Sequence, residues 1–184
     1  MPGAEPGGPV GRVLLVGMMG AGKTTVGSLL AEGLGWVFVD SDAEILARSG
    51  RSVAEIWRAG GEAAFRAEEA AALAGALDRR EPTVFGIAGG AVLDPANREL
   101  IRRSRPVVWL RADPATLAAR VGDGSGRPLL DGDPAGNLRR LDTERRALYA
   151  GLADLVVDVD GLDPGEVVER ILAGIERGGG QCRS

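Results

Sequence analysis

Short apolar runs alternate along this chain with longer helix-like stretches. The runs fall at 12–16, 36–39, 83–87, 106–110 and 154–157. Between them lie stretches at 23–34, 42–48, 53–57, 61–80, 95–103, 114–120, 136–150 and 164–177. That alternation predicts an α/β domain, a parallel sheet with helices on both faces. The runs are continuously apolar rather than alternating, as expected for strands covered on both sides. Helix starts are marked chemically: Asp94-Pro95, Asp113-Pro114 and Asp163-Pro164 each set an N-cap acid before a first-turn proline. No internal repeat or interdomain linker interrupts the pattern.

The turn after the first run reads Gly17-Met18-Met19-Gly20-Ala21-Gly22-Lys23-Thr24, a complete G-x-x-x-x-G-K-[ST] phosphate loop between a strand and a helix. Its glycines let successive backbone N–H groups turn toward a polyphosphate, and the following helix N-terminus adds partial positive charge. Lys23 can reach the β and γ phosphates, and the Thr24 hydroxyl can ligate Mg²⁺.

Composition narrows the chemistry. At 184 residues the chain is one domain, 45% hydrophobic and 26% charged. A formal charge of −4 gives no support to nucleic-acid binding. No run is long enough to span a membrane, and the first ten residues lack the features of a signal peptide. A disordered leader at 1–10, a single domain at 11–177, a flexible tail at 178–184 and a cytoplasmic address are therefore expected. One cysteine, Cys182, excludes an intrachain disulfide. The chain has no histidine, so any general base is a carboxylate, Lys, Tyr or that Cys.

The 83–87 run carries no acid, yet Asp40-Ser41-Asp42 closes the second run. In an extended segment a spacing of two points both carboxylates the same way, beyond the carboxyl end of a parallel strand where ligands gather. One can hold Mg²⁺ through water while the other faces an acceptor hydroxyl. Asp42 or Ser41 could equally cap the helix that follows. Ala88-Gly89-Gly90-Ala91 offers a small-residue turn, open to a substrate or simply tight. Residues 122–134, rich in Gly, Asp and Pro around Arg127, read as a mobile lid or as a surface loop.

With these pieces in order, the chain resembles shikimate kinases, small P-loop kinases related in fold to the nucleoside monophosphate kinases. The resemblance runs from about Val13 to Ile175. Its further pieces are Gly50-Arg51-Ser52-Val53-Ala54-Glu55-Ile56, Gly61-Glu62 with Phe65-Arg66 and Glu68-Glu69, Arg127-Pro128-Leu129-Leu130, and Arg145 ahead of Leu148-Tyr149. It implies a five-stranded parallel sheet of order 2-3-1-4-5, a substrate-binding segment near 42–70 and a lid near 122–134. It implies ATP-dependent phosphorylation of the 3-hydroxyl of shikimate, a step toward chorismate and the aromatic amino acids, by a monomer using Mg²⁺.

Roles follow from the same resemblance. Gly20, Ala21, Gly22, Lys23, Thr24 and Thr25 would hold ATP, with Arg120 and Pro164 bordering the adenine. Thr24, and Asp40 through water, would serve the metal. Asp42 would grip the acceptor and take its proton. Arg66 and Arg145 would pair with the carboxylate, Gly89 and Gly90 would line the ring, and Trp57 and Phe65 would wall it. Arg127 would close with the lid onto the phosphates. Two positions depart from the family: Ala88 replaces a usual glycine, a strain if that residue needs positive φ, and Gly86 stands where many members carry a small hydroxyl residue. Two other readings stay open, a same-fold kinase for another polyol acid or cyclitol such as gluconate, and a non-catalytic nucleotide-binding domain.

Overall fold

The computed structural model describes residues 11–125 and 127–179. The expected leader, Cys182 and the end of the tail lie outside them, as does Gly126 within the lid segment. Five strands, β1 (Arg12–Val16), β2 (Val37–Asp40), β3 (Thr83–Gly86), β4 (Val107–Arg111) and β5 (Leu155–Asp158), form one sheet of order β2-β3-β1-β4-β5. Every pairing is parallel. Among the described residues seven helices connect or flank them: α1 (Lys23–Leu34), α2 (Ser41–Ser49), α3 (Val53–Leu77), α4 (Pro95–Arg103), α5 (Pro114–Val121), α6 (Pro134–Leu152) and α7 (Pro164–Gly179). Helix α7 thus runs two residues into the stretch expected as tail.

The central strands β1, β3 and β4 are buried almost throughout, which explains their unbroken apolar runs. Helices α1 and α7 pack together over one face, and α4, α5 and α6 form the other layer. Most of the core is a single cluster around the sheet; a smaller one, Ile45, Ile56, Phe65 and Ala72, holds α2 against α3.

Side-chain caps fix where the helices start. Asp94 accepts from Ala96 N–H and Asp113 from Ala115 N–H, each with proline in the first turn. Asp163 and Glu166 satisfy each other's backbone N–H groups. Ser52 and Glu55 form a full capping box at the start of α3. As expected, two helical segments make up this span, and they meet at a kink at Gly61, whose φ of 65° and ψ of −162° suit glycine alone.

Candidate active site

The parallel strands deliver their carboxyl ends to one edge of the sheet, and a cleft of about 520 Å³ opens there. The phosphate loop forms its floor. Gly22 adopts φ 95°, a left-handed turn that aims the loop's N–H groups inward before α1 begins. Lys23 Nζ donates to the carbonyls of Gly17 at 2.8 Å and Met18 at 3.0 Å, so its ammonium lies over the loop. Burial lowers its pKa to about 8, against the opposing pull of Asp40 and Asp42.

Asp40 is the last residue of β2 and caps α2, its Oδ1 accepting from Asp42 N–H at 2.9 Å. Its Oδ2 accepts from the Thr24 hydroxyl at 2.8 Å. The cap is therefore neither Ser41 nor Asp42, and Asp42 stands in the first turn of a helix rather than in an extended segment. The turn nevertheless keeps both carboxylates on the cleft. Asp42 is reached by solvent from the cleft yet walled by protein. That partial burial raises its pKa, and the neighbouring Asp40 charge adds to the rise.

Across the cleft stands Arg145, only 1% exposed although it is on a helix. No ion pair or hydrogen bond from its side chain to a carboxylate occurs among the described residues, and its buried Nε lacks any partner. Buried Glu69, already paired with Arg66, also interacts with the Arg145 charge, so the guanidinium faces the cleft only partly compensated, a candidate site for an anion. Arg66 differs. Its Nη1 donates to buried Glu69 at 2.8 Å and its Nη2 to Glu62 at 3.0 Å. It lies so close to Gly90 that a Cβ there would come within 2.0 Å of Arg66 Nη1. Trp57 and Phe65, ring centroids 5.5 Å apart, add an apolar wall.

Gly20, Gly22, Lys23, Thr24 and Thr25 all line the cleft, as do Asp40, Asp42, Trp57, Phe65 and Arg66. Gly89, Gly90, Arg120, Arg127 and Arg145 complete the set. Ala21 and Pro164 instead line an adjoining recess of about 290 Å³, joined to the cleft through Gly22, Thr25 and Arg120. Every expected site residue is thus at one connected site. Ala88 carries no strain, because no non-glycine among the described residues has positive φ. At Gly86, Phe38 would be the nearest neighbour of an added Cβ, at 3.4 Å, with Asp40 Oδ2 at 3.8 Å.

The segment expected as a lid is partly packed. It contains a short 3-10 turn, Pro128–Leu130, and Leu130 is fully buried. Gly124 is buried as well, lying against Leu130, so the segment is anchored on both sides of Arg127, which itself stands exposed. Sequence reasoning assigned no role to Glu62, Glu69 or Tyr149 and considered Ser41 only as a cap. The helical spacing of Glu62 and Glu69 to Arg66 carried the signal for those two; spacing does not reveal Ser41 or Tyr149, because each acts through a contact with a distant loop.

A phosphate loop, a paired acid and an unpaired buried arginine sharing one cleft describe a kinase for an anionic, hydroxylated acceptor. Comparison with known proteins agrees. The sequence profile of shikimate kinase matches residues 19–176. A shikimate kinase of Symbiobacterium thermophilum is 45% identical over 171 residues, covering 91% of this chain and 98% of that protein. One from Thiobacillus denitrificans is 48% identical over 148 residues, 80% of each. The structure of a shikimate kinase from Acinetobacter baumannii in complex with shikimate superposes with a TM-score of 0.88 at 34% identity, over 92% of this chain and 94% of that one. The profile match, the identities over most of both chains and the structural superposition converge: this chain belongs to the shikimate kinase family.

Proposed function

We infer that the chain transfers the γ-phosphoryl group of ATP to the 3-hydroxyl of shikimate, giving shikimate 3-phosphate and ADP on the route to chorismate. The observation that carries this reading is Arg145, buried, in no ion pair among the described residues and facing the same cleft as the phosphate loop and Asp42. An acceptor with one carboxylate and ring hydroxyls supplies both missing partners, an anion for Arg145 and a hydroxyl for Asp42.

In this reading Lys23 and the loop N–H groups hold the β and γ phosphates, and Arg120 and Pro164 border the adenine. Asp42 orients the hydroxyl; as its oxygen bonds to the γ-phosphorus, the bond to the β-bridging oxygen breaks and the proton passes to Asp42. Positioning and charge neutralisation supply most of the rate. Arg127 meets the charge spreading over the transferring group. Thr24 Oγ1 and Asp40 Oδ2 are hard oxygens, the donor type Mg²⁺ prefers, and would hold the ion directly and through water. Bound there, Mg²⁺ would neutralise phosphate charge. The protein works as a cytoplasmic monomer.

ADP release measured with shikimate, with its methyl ester and with gluconate tests the reading. Turnover with shikimate alone, and a new phosphomonoester signal at its 3-position by ³¹P NMR, is expected. Equal turnover on gluconate would favour the polyol-acid alternative, and no acceptor-dependent turnover would favour a non-catalytic domain.

A further inference from the structure

The wall of the cleft formed by Ala88-Gly89-Gly90 follows β3 without a regular element of its own, yet it must face Asp42 on one side and Arg145 on the other. Two buried hydroxyls hold it. Ser41, 3% exposed, accepts from the Ala88 N–H at 2.9 Å. Tyr149, fully buried, donates to the Gly89 carbonyl at 2.7 Å. The two anchors come from opposite sides of the site. Ser41 lies between Asp40 and Asp42 at the start of α2. Tyr149 lies one helical turn after Arg145 on α6, with its ring against Trp109 at 5.8 Å between centroids. The gap they leave is narrow: a Cβ on Gly89 would sit 3.1 Å from the Gly17 carbonyl of the phosphate loop and 3.2 Å from the Tyr149 hydroxyl.

We propose that Ser41 and Tyr149 are positioning residues that clamp the 88–90 loop, keeping the acceptor wall in register with Asp42 and Arg145 at once. The clamp joins all the parts an acceptor must touch: the acid through α2, the arginine through α6, and the phosphate loop through the Gly17–Gly89 approach. Burial pushes the Tyr149 phenol pKa above its ordinary value, so it stays a donor throughout the working pH range. Loosening either anchor lets the loop drift by a fraction of an ångström, enough to spoil acceptor alignment while leaving the nucleotide's contacts with Lys23 and Thr24 in place. Because this rests on the acceptor assignment above, the test needs one arm that does not use turnover.

Tyr149→Phe removes the hydroxyl and keeps the ring packed on Trp109. Ser41→Ala removes the other hydroxyl, and Ser41→Thr and Ser41→Val give a same-sized pair with and without one. In the full chain, Tyr149→Phe and Ser41→Ala are expected to raise the shikimate KM about five- to tenfold each, with the ATP KM changed less than twofold. Ser41→Thr should bind shikimate more tightly than Ser41→Val. Ligand-free hydrogen exchange supplies the independent arm: the Ala88 amide should exchange faster in Ser41→Ala. An Ala88 amide that exchanges at the wild-type rate in Ser41→Ala would overturn the clamp. So would equal rises in both KM values, the mark of a general structural defect. If the wild-type chain fails to phosphorylate shikimate, the function assignment falls, and the exchange of Ala88 still decides the clamp.

Discussion

At Lys23, burial has drawn the ammonium pKa to about 8, while at Asp42 burial and the Asp40 charge have moved the carboxyl upward. The two shifts bring both groups toward the working pH, from opposite directions. A lysine is cationic below its pKa, so the free enzyme should lose nucleotide affinity as pH rises through about 8. Bound phosphates favour the charged form and move that limb higher. The expected outcome is a kcat/KM for ATP that declines above about pH 8, with kcat at saturating ATP holding to more alkaline values. Coincident alkaline limbs would remove Lys23 as their cause. On the acid side, activity should fall at a pH above the ordinary carboxylate range, and Asp42→Asn should abolish turnover while ATP binding survives. Near wild-type kcat in that variant would contradict its role as base.

The two arginines separate at the same scale. Arg145 forms no ion pair among the described residues and touches Glu69 only through its charge, so Arg145→Ala should cost mainly acceptor binding. A charge-assisted contact is worth about 1.5–3 kcal/mol, one to two decades in affinity. Arg66→Ala should weaken the acceptor less and the fold more, because it strands Glu69, a buried carboxyl whose pKa is already raised by burial. That loss is roughly 1–3 kcal/mol, or about 3–10 °C in melting temperature for a chain of this length. Calorimetry with shikimate and thermal melts of both variants check the split; equal melting temperatures would show that Glu69 does not depend on Arg66.

At the scale of elements, α3 owes its shape to one glycine. Nothing lies within 4 Å of where a Gly61 side chain would start, so substitution there meets no clash. Its cost is all backbone, since φ 65° with ψ −162° is barred to other residues. Gly61→Ala should lose about 1–3 kcal/mol in denaturant unfolding, and an unchanged midpoint would argue that the kink relaxes freely. The same break was legible in the sequence: propensity separates 53–57 from 61–80 because glycine weakens a helix, and the helical geometry does break at Gly61, while the cluster of Ile56 and Phe65 holds the two segments together. Strand β2 was expected to end at Val39, the last apolar residue. Its ladder runs on to Asp40, opposite Gly86, because parallel pairing rests on backbone groups that hydrophobicity does not report. The phosphate loop, the proline-marked helix starts and the sheet order were legible because each has a local signature or follows from the resemblance. Ser41 on Ala88 and Tyr149 on Gly89 were not, since those contacts join residues 47 and 60 positions apart.

At the scale of the molecule, the two halves of the site rest on unequal foundations. The phosphate loop is embedded in the main core, with Met18 and Ala21 inside it. The acceptor segment of α2 and the first half of α3 leans on four buried residues, a small cluster that gives it less apolar packing than the rest. It should therefore open more readily than the sheet. Around Arg127, residues 122, 123 and 125 are exposed, whereas Gly124 and Leu130 are buried. Hydrogen exchange should resolve three behaviours. Sheet amides in β1, β3 and β4 should exchange only by global unfolding. Amides of α2 and early α3 should exchange by a lower-energy opening, which shikimate suppresses. Amides near 122–125 should slow only when nucleotide is added, because Arg127 gains phosphate partners then, while those at Leu130 and beyond change little. Arg127→Ala should remove that nucleotide-dependent slowing and lower kcat sharply, with shikimate affinity kept, since its contact strengthens as charge moves onto the transferring group. Exchange near 122–125 that is equally fast with and without both ligands, together with a normally active Arg127→Ala enzyme, would reduce this segment to a surface loop.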